Sequence, residues 1–345
     1  MGYSRRQLQQ STMMFICASM AQMAYAGGGI DTEFSDVHFS GAVAGGYYAS
    51  DQEVVRKNDQ NRLSDFLLGI DVATADERVE MSAGVGILPS YSLLDHGVDS
   101  ATSTAEVQYA MLAVHPLAGW TLELGRMPSN IGYEDTVSAY NAHSMGSVQA
   151  TTQPGYFPAT RLSYGNEAIT VYLEQSDDSY EAPSGAITGQ SWASGAMGEV
   201  GEVEYAIGYQ SYVGLRSMFN LVLSTEIAGM DATLVYDRLK LDTAGLASAT
   251  DKDTAQSIAI YLSGPTFDDI SVPMRLEAFD DQGNGLYEGS GKGQSLTVTP
   301  TWNLSEHAYL RTDFSYLTMD NKILTGKNGP EDSRFMFVLQ AGYRI

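Results

Sequence analysis

From residue 36 onward the chain alternates apolar and polar side chains with a period of two almost without interruption. In Gln294 to Trp302, Leu296, Val298, Pro300 and Trp302 fall on one face and Thr297, Thr299 and Thr301 on the other. Val79 to Ile87 sets Val79, Met81, Ala83, Val85 and Ile87 against Glu80, Ser82, Gly84 and Gly86. His307 to Leu317 opposes Ala308, Leu310, Phe314 and Tyr316 to Tyr309, Arg311, Asp313 and Ser315, and Ile169 to Glu174 and Val203 to Gln210 put Thr170, Glu174, Glu204 and Gln210 on their polar faces. Successive side chains of a β-strand point to opposite sides, so each segment reads as a strand with one apolar and one wet face.

The connections carry a second signal. Tight links at Ala73 to Glu77, His115 to Gly119, Gly165 to Glu167, Ile227 to Gly229, Gly264 to Asp268 and Asn303 to His307 alternate with longer polar ones near 51–61, 90–104, 130–155, 176–190, 211–216, 241–253, 281–293 and 320–333. Short turns at one end and long loops at the other are the signature of a transmembrane antiparallel β-barrel, all-β, with a hydrocarbon-facing exterior and a polar interior. The count is about sixteen strands. Glycine and alanine blur the faces of Ser191 to Val200, and without that hairpin the number is fourteen. No stretch after Ala26 is long and apolar enough for a membrane-spanning helix, and an open sheet edge in lipid would leave backbone groups unpaired, so a membrane location demands closure. Tyr47, Tyr91, Trp120, Tyr156, Trp302 and Tyr316 lie near strand ends, where interfacial girdles form.

The first residues have a different character. Arg5 and Arg6, an apolar stretch from Met13 to Met20, and Ala24-Tyr25-Ala26 before a glycine run follow the order of a secretory signal peptide cleaved after Ala26. That leaves one domain, 27–345, and since Cys17 is the only cysteine it leaves neither a disulfide nor a thiolate site. The whole chain carries −23, and losing two arginines takes the mature 319 residues to −25. So acidic a protein does not bind nucleic acid, and it attracts cations to any concave surface.

The longest connection, 130–155, follows Trp120 to Met127. Leu124-Gly125-Arg126-Met127-Pro128, then Ile131-Gly132-Tyr133-Glu134, Asn141 and Ser144, resemble the OmpL-like β-barrel porins of the porin-2 type, most closely from about Thr104 to Glu174. Phe335 to Ile345 resembles the terminal strand read by the outer-membrane assembly machinery, although it ends in Ile345 where an aromatic is usual.

The resemblance implies a Gram-negative outer-membrane channel for small hydrophilic solutes and ions, narrowed by the 130–155 segment folding inward. It further implies that Glu134 and Asp135 face a basic wall drawn from Arg126, Arg161, Arg275 and Arg311. Alternation points Arg161, Arg275 and Arg311 inward, whereas Arg126 shares its parity with Leu122 and Leu124 and needs a bulge at Gly125 or a place at the rim. Glu80, Glu174, Tyr172, Glu204, Tyr261, Tyr309 and Asp313 are the expected lumen lining.

The acidic clusters Asp177-Asp178 with Glu181, and Asp280-Asp281, read as solvated loop charge. His38, His96, His115, His143 and His307 have no metal-ligand spacing, and no GxSxG elbow occurs, so neither a metal, a cofactor nor an enzymatic role is expected. The expected partners are outer-membrane lipids and lipopolysaccharide, the barrel assembly machinery, small solutes and cations, with a homotrimer as the usual assembly for barrels of this size. Net acidity predicts cation preference. A channel specific for a sugar, peptide or organic acid and a structural or adhesive barrel with a plugged lumen are the alternatives.

Overall fold

The computed structural model describes residues 34–51, 60–88, 105–182, 185–242, 252–282, 291–322, 324–326 and 329–345. The segment expected as a leader, with Cys17, and Tyr91 and His96 in the connection before residue 105, lie outside them. The chain is a closed antiparallel barrel of sixteen strands. They are β1 (Phe34–Ser50), β2 (Gln60–Thr74), β3 (Val79–Ile87), β4 (Glu106–Leu117), β5 (Trp120–Pro128), β6 (Tyr156–Gly165), β7 (Ile169–Ala182) and β8 (Gly185–Val200). There follow β9 (Val203–Tyr212), β10 (Arg216–Ile227), β11 (Met230–Leu241), β12 (Thr254–Leu262), β13 (Met274–Asp280), β14 (Lys292–Val298), β15 (Ala308–Met319) and β16 (Ser333–Arg344).

Each strand pairs with the next, and β1 pairs with β16 from Ala42 opposite Arg344 to Ser50 opposite Met336, which removes the last free edge. Short pieces at Thr266–Phe267, Ile270–Ser271 and Thr301–Asn303 extend the wall at the short-turn end.

The hairpin around Ser191 is genuine. Its two strands are 14 and 16 residues long, more than the roughly 9 to 11 a tilted strand needs to span a bilayer, so most of 176–190, expected as a loop, is paired from Asp177 opposite Gln190 to Ala182 opposite Gly185. The connection expected at 211–216 is likewise only Val213 to Leu215, and His115, expected in a turn, lies within β4.

The exterior is the belt that alternation demands: Leu173, Ile258, Ile260, Leu276, Leu296, Phe314 and Leu339 are each 40% or more exposed. In water such a surface would aggregate; in hydrocarbon it is the solvated state.

Inside, four large aromatics stand directly opposite glycines in register: Tyr109 with Gly84, Tyr172 with Gly195, Phe279 with Gly293 and Tyr309 with Gly342. A Cβ on any of these glycines would lie within 2.5 Å of the facing ring. The rings therefore lie flat along the wall, and the abundance of Gly and Tyr in the composition has this pairing as one structural cause.

The apolar core sits within the barrel. Ile131, Met145 and Val148 of the 129–155 segment pack with Met218, Leu239, Phe279, Leu317 and Val338 of the wall, and Val137 and Ala139 pack with Ala44, Leu67 and Tyr309.

Candidate functional site: the segment across the lumen

Residues 129–155 leave the wall where the Ser129 N–H donates to the Gly155 carbonyl at 2.9 Å. Gly132 sits at φ +117, a conformation that favours glycine, and a Cβ there would meet Gln153 at 2.6 Å. The Gly132 N–H reaches Asn220 on β10 at 3.4 Å. Chain direction then reverses in two short 3₁₀ turns, Ser138–Tyr140 and Gln149–Thr151.

With so little regular structure, the segment's backbone groups need partners elsewhere. Charged side chains on the inner wall supply them. Arg275, fully buried, donates to the carbonyls of Met145 (2.9 Å) and Gly146 (3.3 Å) and to Glu134 Oε1 (2.6 Å), while its Nε lies 3.1 Å from Glu277. Arg311 donates to the carbonyls of Asn141 and Ser138 and to Ser144 Oγ at 2.8 Å, and Arg344 donates to the Ala139 carbonyl at 3.1 Å.

Carboxylates take the N–H groups. Asp65 accepts from Ser138, Asp313 from Ser144 (2.8 Å) and Met145 (3.0 Å), and Glu277 from Val148 (2.7 Å). Glu134 bridges the segment to itself and to the wall, accepting from Ser147 N–H at 2.7 Å and Tyr261 OH at 3.2 Å. Farther along, Gln153 donates to Asp237 at 2.8 Å, and Asp237 also accepts from Asn220 at 2.6 Å. Charge-assisted bonds of this kind are about twice as strong as neutral ones, and burial strengthens them.

His143 is buried between the two arginines. Its Nδ1 lies 2.7 Å from Thr299 Oγ1, whose hydroxyl donates to Asp313 at 3.0 Å. The threonine proton is thus committed, so Nδ1 carries the imidazole hydrogen and Nε2 is an unprotonated nitrogen with no partner among the described residues. Burial, then the charges of Arg275 and Arg311, push its pKa well below the ordinary histidine value.

Most of the expected site residues fall into three groups. Glu134, Arg275, Tyr261, Arg311 and Asp313 converge on the segment, with Arg311 stacked 4.8 Å over Tyr309. Arg161 forms a separate cluster, 2.8 Å from Glu174, 3.4 Å from Glu123 and 5.9 Å from the Tyr172 ring. Glu80 and Glu204 are exposed near the short-turn end, each the second residue of its strand.

Asp135 stands apart from the arginines. It is exposed within the barrel, accepts from Val137 N–H at 2.7 Å, and has its pKa raised by desolvation against the pull of that bond.

Arg126 joins neither cluster. It sits opposite Ala110 and Pro158, and its Nε donates to the Gln108 carbonyl at 2.7 Å. Gly125 has φ +128, yet the register of β5 runs through it unbroken; the irregularity lies across the ladder in β4, where Gly84 and Val85 oppose Tyr109 and Val107 and leave Gln108 as the extra residue. The outward parity that β5 imposes on Arg126 is therefore kept, and the bulged neighbour provides a carbonyl for its charge.

Two further expectations are corrected. Asp281 is no solvated loop charge: it is buried and accepts from Gly291 N–H at 2.6 Å. Tyr156, expected in an interfacial girdle, stacks 5.7 Å from the lumen-facing Tyr109.

Sequence reasoning missed Asp65, Glu277, Asn220, Asp237, Thr299, Gln340 and Arg344 as partners of the segment. Their inward parity was readable, but nothing marked which inward polar groups the segment would choose. Among the described residues no cluster of His, Cys, Asp or Glu could hold a metal ion.

A sealed sixteen-stranded cylinder with an apolar belt and an interior crossed by one long connection defines a porin-type channel of the bacterial outer membrane. The sequence matches, over residues 36–345, the family described as "Putative beta-barrel porin-2, OmpL-like", and the chain belongs to that family.

Solved structures agree on the fold. An anion-selective porin from Comamonas acidovorans has TM-score 0.63 at 12% identity, covering 90% of this chain and 99% of that one. The outer-membrane channel DcaP of Acinetobacter baumannii gives 0.63 at 12%, covering 90% and 97%. OmpT of Vibrio cholerae in a trimer form gives 0.59 at 11%, covering 90% and 99%. No curated protein matches the sequence.

Proposed function

We propose that this porin is a passive, cation-preferring diffusion channel for small hydrophilic solutes, with residues 129–155 forming its constriction. One observation carries the reading: Arg161 and Arg275 are paired with Glu174 and Glu134, and Arg311 shares Ser138 with Asp65 and Ser144 with Asp313, so nearby carboxylates offset the positive field of all three. The exposed Glu80, Asp135 and Glu204 then set the sign of the potential that a hydrated ion meets. The anion selectivity of the Comamonas protein does not transfer at 12% identity, because selectivity follows the charges of each lumen rather than the shared barrel.

We further infer export by a leader cleaved after Ala26, insertion by the barrel assembly machinery acting on β16, and a homotrimer, the form in which OmpT has been solved. The test of selectivity is the reversal potential of the purified protein in planar bilayers under a KCl gradient. Cation preference is expected, shrinking in a Glu80→Gln, Asp135→Asn, Glu204→Gln variant; anion preference in the wild type overturns the proposal.

A further inference from the structure

Beneath the 129–155 segment, on the side of the short turns, the barrel holds a vestibule of about 860 Å³. Its roof is Tyr140 to Ala142 of the segment. One wall is a patch of adjoining strands, where Thr301 stands opposite Arg311 and Arg311 opposite Gln340, while Asn303 stands opposite Tyr309 and Tyr309 opposite Gly342. Arg344, two residues beyond Gly342 on the same face of β16, completes the patch.

Arg344 differs from the other arginines that hold the segment. Arg275 is neutralised by Glu134 and Glu277, and each nitrogen of Arg311 already holds an acceptor. Arg344 is half-buried, donates through Nη1 to the Ala139 carbonyl at 3.1 Å, and has no carboxylate partner among the described residues. Its Nε and Nη2, the fork that receives a carboxylate side-on, hold no acceptor among those residues.

Polar groups without strong commitments lie within reach of that fork. The guanidinium carbon approaches the Tyr309 ring to 5.8 Å, which brings the charge back to the tier of Asn303. Two strand spacings, about 10 Å, separate β16 from the Thr301–Asn303 piece. The Asn303 side chain makes no hydrogen bond among the described residues, and Thr301 Oγ1, which donates to the Thr299 carbonyl at 3.2 Å, can still accept. Tyr140 is exposed in the roof above them. The one carboxylate in the lining, Asp231 on β11, is five strands from Arg344.

We propose that the vestibule binds a small polyhydroxylated carboxylate, a sugar acid, entering from the short-turn side. Its carboxylate docks side-on to Arg344, its hydroxyls meet Thr301 and Asn303, and its ring lies under Tyr140. A single open fork suits a carboxylate monoanion, whereas a phosphate dianion would call on a second cation. Since Nη1 keeps the Ala139 carbonyl, the bound acid ties the segment to the wall. The site does not depend on the ion preference of the pore.

The test is a ligand-observed NMR titration of the detergent-purified porin with galacturonate, and with glucose and acetate, each of which carries only part of the recognition. The wild type should bind galacturonate about tenfold or more tightly than either. Arg344→Gln should bring galacturonate down to the level of glucose. Thr301→Val, Asn303→Ala should bring it toward acetate and leave acetate itself unchanged. Amide exchange at Tyr140 and Asn141 should slow in the galacturonate-bound wild type. Heat-modifiable gel mobility verifies that each variant is folded. Equal binding of the three probes by the wild type overturns the proposal, as does unchanged galacturonate binding in either folded variant.

Discussion

Replacing Arg275 by glutamine removes the most connected side chain beneath the 129–155 segment. The guanidinium is fully buried and makes contacts of 2.6 Å to Glu134, 2.9 Å to the Met145 carbonyl, 3.3 Å to the Gly146 carbonyl, 3.5 Å to Thr297 and 3.1 Å to Glu277. These are not additive. The dominant cost is that Glu134 and Glu277, both almost wholly buried, lose the cation that compensates them.

Breaking a buried pair from one side costs about 3 to 5 kcal/mol. The cost falls on the segment rather than on the barrel, because every interstrand ladder is untouched. At about 1.4 kcal/mol per decade, the ratio of released to docked segment rises by two to three and a half decades, a factor on the order of 10² to several times 10³. Amide hydrogen exchange at Ser144, Met145 and Val148 is the direct readout, and it should accelerate by that factor while strand amides keep their protection.

Single-channel current should become larger and noisier. Adding Glu134→Gln to Arg275→Gln should restore part of the protection, since it removes one of the stranded charges. Unchanged exchange at those three amides in the folded single variant would refute the claim that Arg275 holds the segment.

Acid should act through His143. Its depressed pKa means that the released segment takes up a proton before the docked one does, so docking is strongest above the ordinary histidine value near 6.5 and weakens as pH falls through it. A proton on Nε2 would place a third cation beside Arg275 and Arg311. Channel noise or exchange recorded against pH should show this onset, and His143→Asn should abolish it; an onset unmoved in the variant would assign it to the carboxylates instead. Gly342→Ala sets a Cβ 2.3 Å from the Tyr309 ring, so Tyr309 must leave the wall or the strands must part. The expected loss is about 1 to 3 kcal/mol, read as a lower urea midpoint for folding into lipid vesicles, and Tyr309→Ala in the same background should recover part of it.

Much of the architecture was legible because a barrel wall is a local code. Side chains meeting hydrocarbon and water in alternation leave a period of two that requires no knowledge of partners, and it marked most of the wall and the inward aim of Arg161, Arg275 and Arg311, while Ser191 to Val200, blurred by glycine and alanine, left the count open between fourteen and sixteen. Loop lengths were less legible. Polar residues from Asp177 to Gln190 look like a loop whether they are solvated in one or, as here, paired in an extended hairpin.

The interior of the barrel is where tertiary structure decided. Sequence offered a list of inward charges and one long connection. Which carboxylate takes which N–H of 138–148 depends largely on atoms distant in the chain meeting across the lumen, as Val148 meets Glu277 and Ser144 meets Asp313. The aromatic–glycine pairs are likewise fixed by interstrand register, and the bulge at Gln108 that gives Arg126 its carbonyl belongs to a neighbouring strand. Periodicity is a property of one strand and its solvent, whereas pairing is a property of two, and only the closed barrel brings the two together.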